Sequence, residues 1–334
     1  MAIAYGVRAG GGLCARADGR VVDLSHVAGS LDELMARGRA EWTPPPDGPE
    51  LDDPELVMPF TVADYVDFYS SIHHASNVGR MLRPDDEPLQ PNWVHLPVGY
   101  HGRAGTVVPS GTPVRRPSGQ RGPGDFGATR ALDIELELGF VIGAASDGPV
   151  PVERALEHVF GAVLLNDWSA RDIQGWETRP LGPMLGKSFA TSVSVWVVPI
   201  GELEPLRVAA QPQDPEPLPY LREPPWAFDI PLEVELNGAV IARSNARHLY
   251  WSIAQQIAHL TSNGAHLRVG DLIGTGTISG PEREQRGCLL ELSWAGSEPI
   301  DLPDGSARTF LEDGDEVVLR GAPLSEVRGT VMPA

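Results

Sequence analysis

Residues 133–143 read DIELELGFVIG, an acid–apolar alternation that runs into continuous apolar sequence. Residues 159–167 read VFGAVLLND, apolar until the last two positions. A period of two belongs to a strand, and an unbroken apolar run of this length bounded by polar residues suits a strand covered on both faces. Two such strands need sheet neighbours and covering layers, which commits the chain to a β-rich core. Asp133, Glu135 and Glu137 stand at i, i+2 and i+4. One strand would put all three on one face, with Ile134, Leu136 and Leu138 on the other. Taken alone, the simpler reading is a half-exposed sheet with a solvated acidic face. The other is a hard-cation site, because Mg²⁺ and Ca²⁺ prefer carboxylate oxygens and crowded like charges repel unless water or a cation offsets them.

The rest of the chain supports a mixed, largely antiparallel β-fold. Short apolar segments at 4–7 and 21–24, parted by glycine-containing turns, predict a small β-rich unit over residues 1 to about 43. Ser30 and Glu33 have the spacing of a helical capping box. The Pro- and acid-rich stretch 43–59 predicts an extended linker, and 211–226 a surface excursion. Further strands are expected over 192–199 and 228–241, the latter with an Asn237-Gly238 hairpin turn. A helix is expected over 250–264, ending near Gly264. No internal repeat occurs at a fixed period.

With 334 residues the chain is long enough for about two domains and a core that needs no staples. Its 45 Asp+Glu against 26 Lys+Arg give a net charge of −19, which argues against nucleic acid and anionic membranes as partners. Two cysteines far apart, Cys14 and Cys288, make no disulfide framework and fit a reducing compartment. The first twelve residues lack the pattern of a signal peptide, and no apolar run approaches the roughly 20 residues that span a bilayer. A cytoplasmic location is the expectation.

Four further clusters could carry chemistry. If a helix starts at residue 167, Asp167, Arg171 and Gln174 share a face, either as a dipole-stabilising acid with a surface ion pair or as a metal ligand beside oxyanion donors. In 67–83, Asp67 and His74 lie two helical turns apart, with Tyr69 and Arg83 near enough to orient a carboxylate. His73 competes with His74, and a lone histidine is more often structural than catalytic. In GPMLGKSFATS (182–192) the glycine spacing fails the phosphate-loop pattern, but Lys187 can project from a tight turn into a site. GTGTISGP (274–281) is turn-rich yet is not a nucleophile elbow. Neither a Cys–His pair nor a zinc-helix motif is visible, which leaves metal-assisted or base-activated water.

These segments together resemble the fumarylacetoacetate hydrolase family. The match runs in order through DFYSSIHHASNVG (67–79), NWVHLPVGYHGR (92–103), SGTPVRRPSGQ (110–120), LDIELELGF (132–140), LLNDWSARDIQGWE (164–177), PLGPMLGKSFATSVSVWVVP (180–199), NGAHLRVGDLIGTGTISGPE (263–282) and LLELSW (289–294). SSIHHA, PVGYHGR and SARDIQ narrow it to members that cleave fumarylacetoacetate itself. The resemblance implies a small SH3-like barrel over 1–58, including the Pro-rich linker, and a catalytic β-roll domain over 59–334 that forms a homodimer. It implies a Mg²⁺ or Ca²⁺ site at Asp67, Glu135, Glu137 and Asp167, with Lys187 and Thr191 beside it. His74 would be the general base, oriented by Glu291, and Arg171, Gln174 and Lys187 the oxyanion hole. Tyr69, Arg83, Tyr100, Gln174 and Thr277 would hold substrate, a small diketo acid. Thr178 stands where the family pattern often has a substrate-contacting tyrosine. The implied reaction is hydrolysis of fumarylacetoacetate to fumarate and acetoacetate, the last step of tyrosine and phenylalanine breakdown. A hydrolase of acylpyruvates and a catalytically silent metal- or dicarboxylate-binding homologue are the alternatives.

Overall fold

The two apolar segments pair with each other. Leu136–Ile142 runs antiparallel to Val159–Asp167, with Leu136 opposite Asn166 and Phe140 opposite Ala162, in a computed structural model that describes residues 2–334. They are the middle of a sheet ordered Gly99–His101, Tyr65–Phe68, Leu272–Gly274, Leu136–Ile142, Val159–Asp167, Thr191–Val193 and Val107–Pro109; Val198–Pro199 also pairs with Val159–Asp167. Every residue of the two middle strands is buried. Both faces are covered: Val141, Val163 and Leu165 pack with Tyr5, Leu13 and Leu31 of the N-terminal unit. Leu138, Phe140, Ala162 and Leu164 share a cluster with Leu232, Val234, Leu319 and Val327. These last belong to a second sheet, ordered Ala239–Asn245, Pro231–Leu236, Glu316–Gly321, Leu324–Met332 and Val114–Arg115. Burial on two sides is why the strands read as apolar runs.

The N-terminal unit is an antiparallel sheet of β1 (Ala4–Val7), β2 (Leu13–Ala17), β3 (Arg20–Asp23) and β4 (Glu50–Leu51), paired in that order. Its edges β1 and β4 do not pair with each other, so where the resemblance implied a barrel the described residues form an open sheet. β4 falls within 43–59: two residues of the expected linker pair with β3. The helices are α1 (Leu31–Ala36), α2 (Ile72–Leu82), α3 (Arg171–Glu177), α4 (Ile200–Leu203), α5 (Ile253–Thr261) and α6 (Leu289–Leu292). Ser30 caps α1 by accepting from the Glu33 N–H, but Glu33 Oε2 accepts from Gly29 rather than from Ser30. Ser252 and Gln255 form the full reciprocal box on α5.

Four spacing-based readings are corrected. The expected 192–199 strand splits into Thr191–Val193 and Val198–Pro199, because Ser194 turns its backbone and hydroxyl onto Leu164. Asp133 lies in a separate short strand, Leu132–Asp133, paired with Ser169–Ala170, so it does not share a strand face with Glu135 and Glu137. The break has a local cause: the Glu135 N–H donates to Asn166 Oδ1 at 3.0 Å and the Ile134 N–H to Asp133 Oδ1 at 2.8 Å. Side-chain oxygens there take the place of ladder carbonyls. Asp67 is on Tyr65–Phe68, and α2 begins only at Ile72 behind its N-cap Ser71; Asp67 and His74 are not two helical turns apart. Asp167 likewise ends a strand, and α3 starts at Arg171.

The Asn237-Gly238 turn forms as expected between Pro231–Leu236 and Ala239–Asn245, with φ of 50° and 81°. A Cβ on Gly238 would meet nothing within 4 Å, so a side chain there is opposed only by the left-handed backbone. Gly238→Ala is therefore expected to lower stability by about 1 kcal/mol, read as a lower urea midpoint with an unchanged m-value.

Candidate active site

Three strands of the central sheet, with Glu135 just ahead of one of them, bring four carboxylates to one place. Asp67 is the Cα partner of Tyr100 on one side and of Gly274 on the other. Glu137 lies on the next strand, and Asp167 ends the following one opposite Thr191. Ligand oxygens of Asp67, Glu135, Glu137 and Asp167 all lie within 4.8 Å of one another, and all four residues are buried. Gly274 leaves the room for this: a Cβ there would stand 2.6 Å from Asp67 Oδ1 and 3.1 Å from Glu137 Oε2. The Gly276 N–H donates to Glu137 Oε2 at 2.9 Å and Asp67 Oδ1 at 3.2 Å.

Two cations answer part of this charge. Lys187 projects from its tight turn, as expected, to put Nζ 2.5 Å from Glu135 Oε2 and 2.8 Å from Asp167 Oδ2. Arg171 sets Nη1 2.7 Å from Glu135 Oε1 and Nε 2.8 Å from Asp133 Oδ2. Burial works to raise the Glu135 carboxyl, but Lys187 and Arg171 outweigh it and hold the group below its usual range. Burial and then Asp167 push Asp67 well up, and burial with Asp67 does the same to Glu137. Glu137 Oε1 has no hydrogen-bond partner among the described residues. Among the described residues, the ion pairs to the set Asp67, Asp133, Glu135, Glu137 and Asp167 thus come from Arg171 and Lys187. An all-oxygen donor set with an unpartnered oxygen and excess negative charge fits a hard divalent cation.

Beside the cluster lies a second constellation. His74 Nδ1 is 2.6 Å from Glu291 Oε2 across a sequence separation of 217. A carboxylate only accepts, so Nδ1 carries the proton and Nε2 is left as the basic nitrogen. Burial opposes ionisation of Glu291, but His74 and hydrogen bonds from His74, Asn77 and Ser279 bring its pKa down to about 2. Asp133 links the halves of the site. Its two oxygens accept from the Leu289 and Leu290 N–H groups of α6, which carries Glu291, while Oδ2 also takes Arg171.

The remaining expected residues distribute as follows. Tyr100 donates to Asp167 Oδ2 at 2.7 Å and Thr191 to Asp167 Oδ1 at 2.9 Å. Gln174 Oε1 accepts from Arg171 Nη1 at 3.2 Å. The Tyr69 ring stands edge-on to His74, with centroids 5.2 Å apart. Thr277 is buried with its hydroxyl unpartnered among the described residues. Arg83 instead donates to the Pro88 carbonyl, and Thr178 closes the C-terminus of α3. The His73 ring stands edge-on to that of His248, with centroids 5.8 Å apart, and among the described residues it is not one of the groups hydrogen-bonded to the Glu291 carboxylate. A cavity of about 200 Å³ opens beside Tyr100 and Lys187 and is also lined by Tyr65, Arg103 and Met184. Asn77, Ser279 and Cys288 on Glu291, and Arg103 at the cavity, escaped the sequence reading: Asn77 is 214 positions from Glu291, and Ser279 and Cys288, though only 12 and 3 positions away, form no recognised motif with it.

A buried oxygen-ligand cluster beside a histidine–carboxylate pair, on a curled β-sheet, is the equipment of a hydrolase that activates water next to a metal. The pattern described as fumarylacetoacetate (FAA) hydrolase C-terminal matches residues 64–332. The chain is 55% identical over 301 residues to human fumarylacetoacetase, covering 84% of this chain and 72% of the relative. It is 54% identical over the same length and coverage to the cattle enzyme. In structure it is similar to the fumarylacetoacetate hydrolase of Exiguobacterium antarcticum, with a TM-score of 0.68 at 19% identity, covering 99% of this chain and 100% of that one. The chain belongs to the fumarylacetoacetate hydrolase family, and it is an enzyme that hydrolyses carbon–carbon bonds.

The raised Asp67 and Glu137 carboxyls keep protons to higher pH than free carboxyls do. A cation must displace those protons, so its binding is expected to release protons and to tighten as pH rises through the folded-state values. In the metal-free protein the same groups stabilise the fold below their unfolded values, and that contribution is lost as pH rises. Calorimetric titration with Mg²⁺ or Ca²⁺ in buffers of different ionisation enthalpy reads the proton release directly.

Proposed function

We infer that the chain hydrolyses the carbon–carbon bond of 4-fumarylacetoacetate to fumarate and acetoacetate. The identity above 50% to curated fumarylacetoacetases across most of the chain carries this reading, and the chemistry of the buried site agrees with it. Asp67, Glu135, Glu137 and Asp167 hold a divalent cation, Mg²⁺ or Ca²⁺, with Lys187 and Thr191 fixing Glu135 and Asp167 around it. When bound, that ion supplies a positive charge that orients a 1,3-diketone and favours its enolate.

The protein's own groups do the rest. Glu291 holds His74 in one tautomer, and Nε2 takes a proton from water, a general-base contribution of roughly 10²–10⁴. Hydroxide adds to the carbonyl at the fumaryl end. Arg171, Gln174 and Lys187 offer N–H donors to the oxygen that gains charge. The bond to the acetoacetate carbon then breaks, and the proton held on Nε2 returns to that carbon. Tyr69, Arg83, Tyr100 and Thr277 hold the substrate's carboxylate and keto oxygens and Thr178 stands in the substrate pocket, with Arg83 and Thr178 placed there on resemblance alone. Family resemblance also supports a homodimer, a cytoplasmic location, and a division into a small SH3-like unit over 1–58 and a catalytic unit over 59–334. Among the described residues no helix is long and apolar enough to cross a membrane.

The test is loss of fumarylacetoacetate absorbance beside an acylpyruvate control, with the metal removed and restored. Turnover is expected on fumarylacetoacetate, and only with Mg²⁺ or Ca²⁺ present. Efficient cleavage of the acylpyruvate alone would move the assignment to that substrate class. His74→Ala is expected to lower kcat by about 10²-fold or more with metal content unchanged, and His73→Ala to do much less.

A further inference from the structure

The loop 274–281 stood out in the sequence for its turns, and beyond Gly274 and Gly276 at the acidic cluster and Thr277 at the substrate it also carries Ser279. It meets Glu291 directly and the N-cap of the helix that carries His74. Ser279 Oγ lies 2.7 Å from Glu291 Oε2 and donates to it. The same hydroxyl oxygen accepts from the Gly287 N–H at 2.9 Å. A serine hydroxyl has one proton, so the Gly287 contact occupies a lone pair and turns that proton onto the carboxylate. The Ser279 carbonyl, meanwhile, accepts from Ser71 Oγ at 3.0 Å. Ser71 is the N-cap of α2, and its hydroxyl oxygen accepts from the backbone N–H of His74 at 3.3 Å.

We propose that Ser279 is the positioning residue of the dyad: through its hydroxyl it sets Glu291, and through its carbonyl and Ser71 it sets the first turn of the helix that carries His74. The proposal rests on the reading of His74 and Glu291 as base and orienter. His74 and Glu291 sit on different helices, α2 of eleven residues and α6 of four; Asp133 holds the first N–H groups of α6, while the Glu291 side chain is oriented by its own donors. Glu291 Oε2 is shared by His74, Ser279 and the Cys288 thiol at 3.2 Å. Asn77 Nδ2 holds the other oxygen at 2.8 Å. Without the Ser279 hydroxyl, Oε2 keeps only the imidazole and a weak thiol donor, and the carboxylate is free to swing about its Asn77 contact. Ser279 is fully buried and Ser71 nearly so, which leaves bulk water no route to replace the lost donor.

Ser279→Ala removes one oxygen atom and is expected to lower kcat about tenfold or more, with KM changed less than about twofold. Melting temperature and metal stoichiometry report whether the fold and cation site are intact. The double-mutant cycle separates positioning from general destabilisation. In a Glu291→Gln background, Ser279→Ala is expected to cost no further kcat, whereas the full tenfold loss in both backgrounds would overturn the proposal. If Ser279→Ala does not fold, Ser279→Cys retains a weaker donor and is expected to give an intermediate kcat; wild-type kcat in a folded Ser279→Cys would overturn it. The free protein supplies an arm that needs no substrate. The low-field Nδ1 proton signal of His74, assigned by its loss in His74→Ala, is expected to shift in the Ser279 variant. An unmoved signal overturns the inference. A wild type that ignores fumarylacetoacetate would instead defeat the functional reading, and the proton signal would still decide the role of Ser279.

Discussion

Four carboxylates taken out of water within 4.8 Å of one another would repel strongly in a medium that screens poorly. Lys187 and Arg171 offset only part of this, chiefly at Glu135 and Asp167. Asp67 and Glu137 are left where burial and their neighbours favour the protonated form. The rest of the site is arranged around that unsettled pair. Gly274 leaves space where a side chain would intrude, Gly276 turns its N–H inward, and Tyr100 and Thr191 each hold one oxygen of Asp167. A cation completes the balance, so folding, protonation and metal binding are linked at one point.

The dyad obeys a different rule. Glu291 is also buried, but its charge is matched by donors on every side, and its pKa stays low at about 2. The carboxylate therefore stays ionised at neutral pH and keeps imidazole Nδ1 protonated. Asp133 mechanically joins the two constellations. One carboxylate caps the first N–H groups of α6 and grips Arg171, which in turn grips Glu135. The acidic cluster and the helix that carries the base's partner thus share one chain of contacts.

Local pattern told much about the scaffold. The apolar runs held strands, Asn237-Gly238 was a hairpin turn, 250–264 held a helix, and Lys187 projected from a turn, because each depends on a few neighbours in sequence. The spacing arguments failed where a side chain displaced the expected backbone partner. Asp133 left the strand because Asn166 and its own carboxylate captured the N–H groups at 134 and 135. Asp67 and Asp167 turned out to be strand residues, since the helices near them start four or five positions later.

By itself the sequence determined the β-rich core and, through its extended motifs, the family and its chemistry. Periodicity and motif identity are properties of contiguous residues, and a chain of this length carries enough of both. Only the tertiary structure decided that Asp67 meets Glu137 through the Leu272–Gly274 strand, that Asp133 serves α6 rather than the cation cluster, and that Ser279 reaches Glu291 directly and the helix of His74 through Ser71. Each of these pairs residues tens to hundreds of positions apart through sheet order and loop path. No local propensity encodes such contacts, because their energy exists only once the layers have packed.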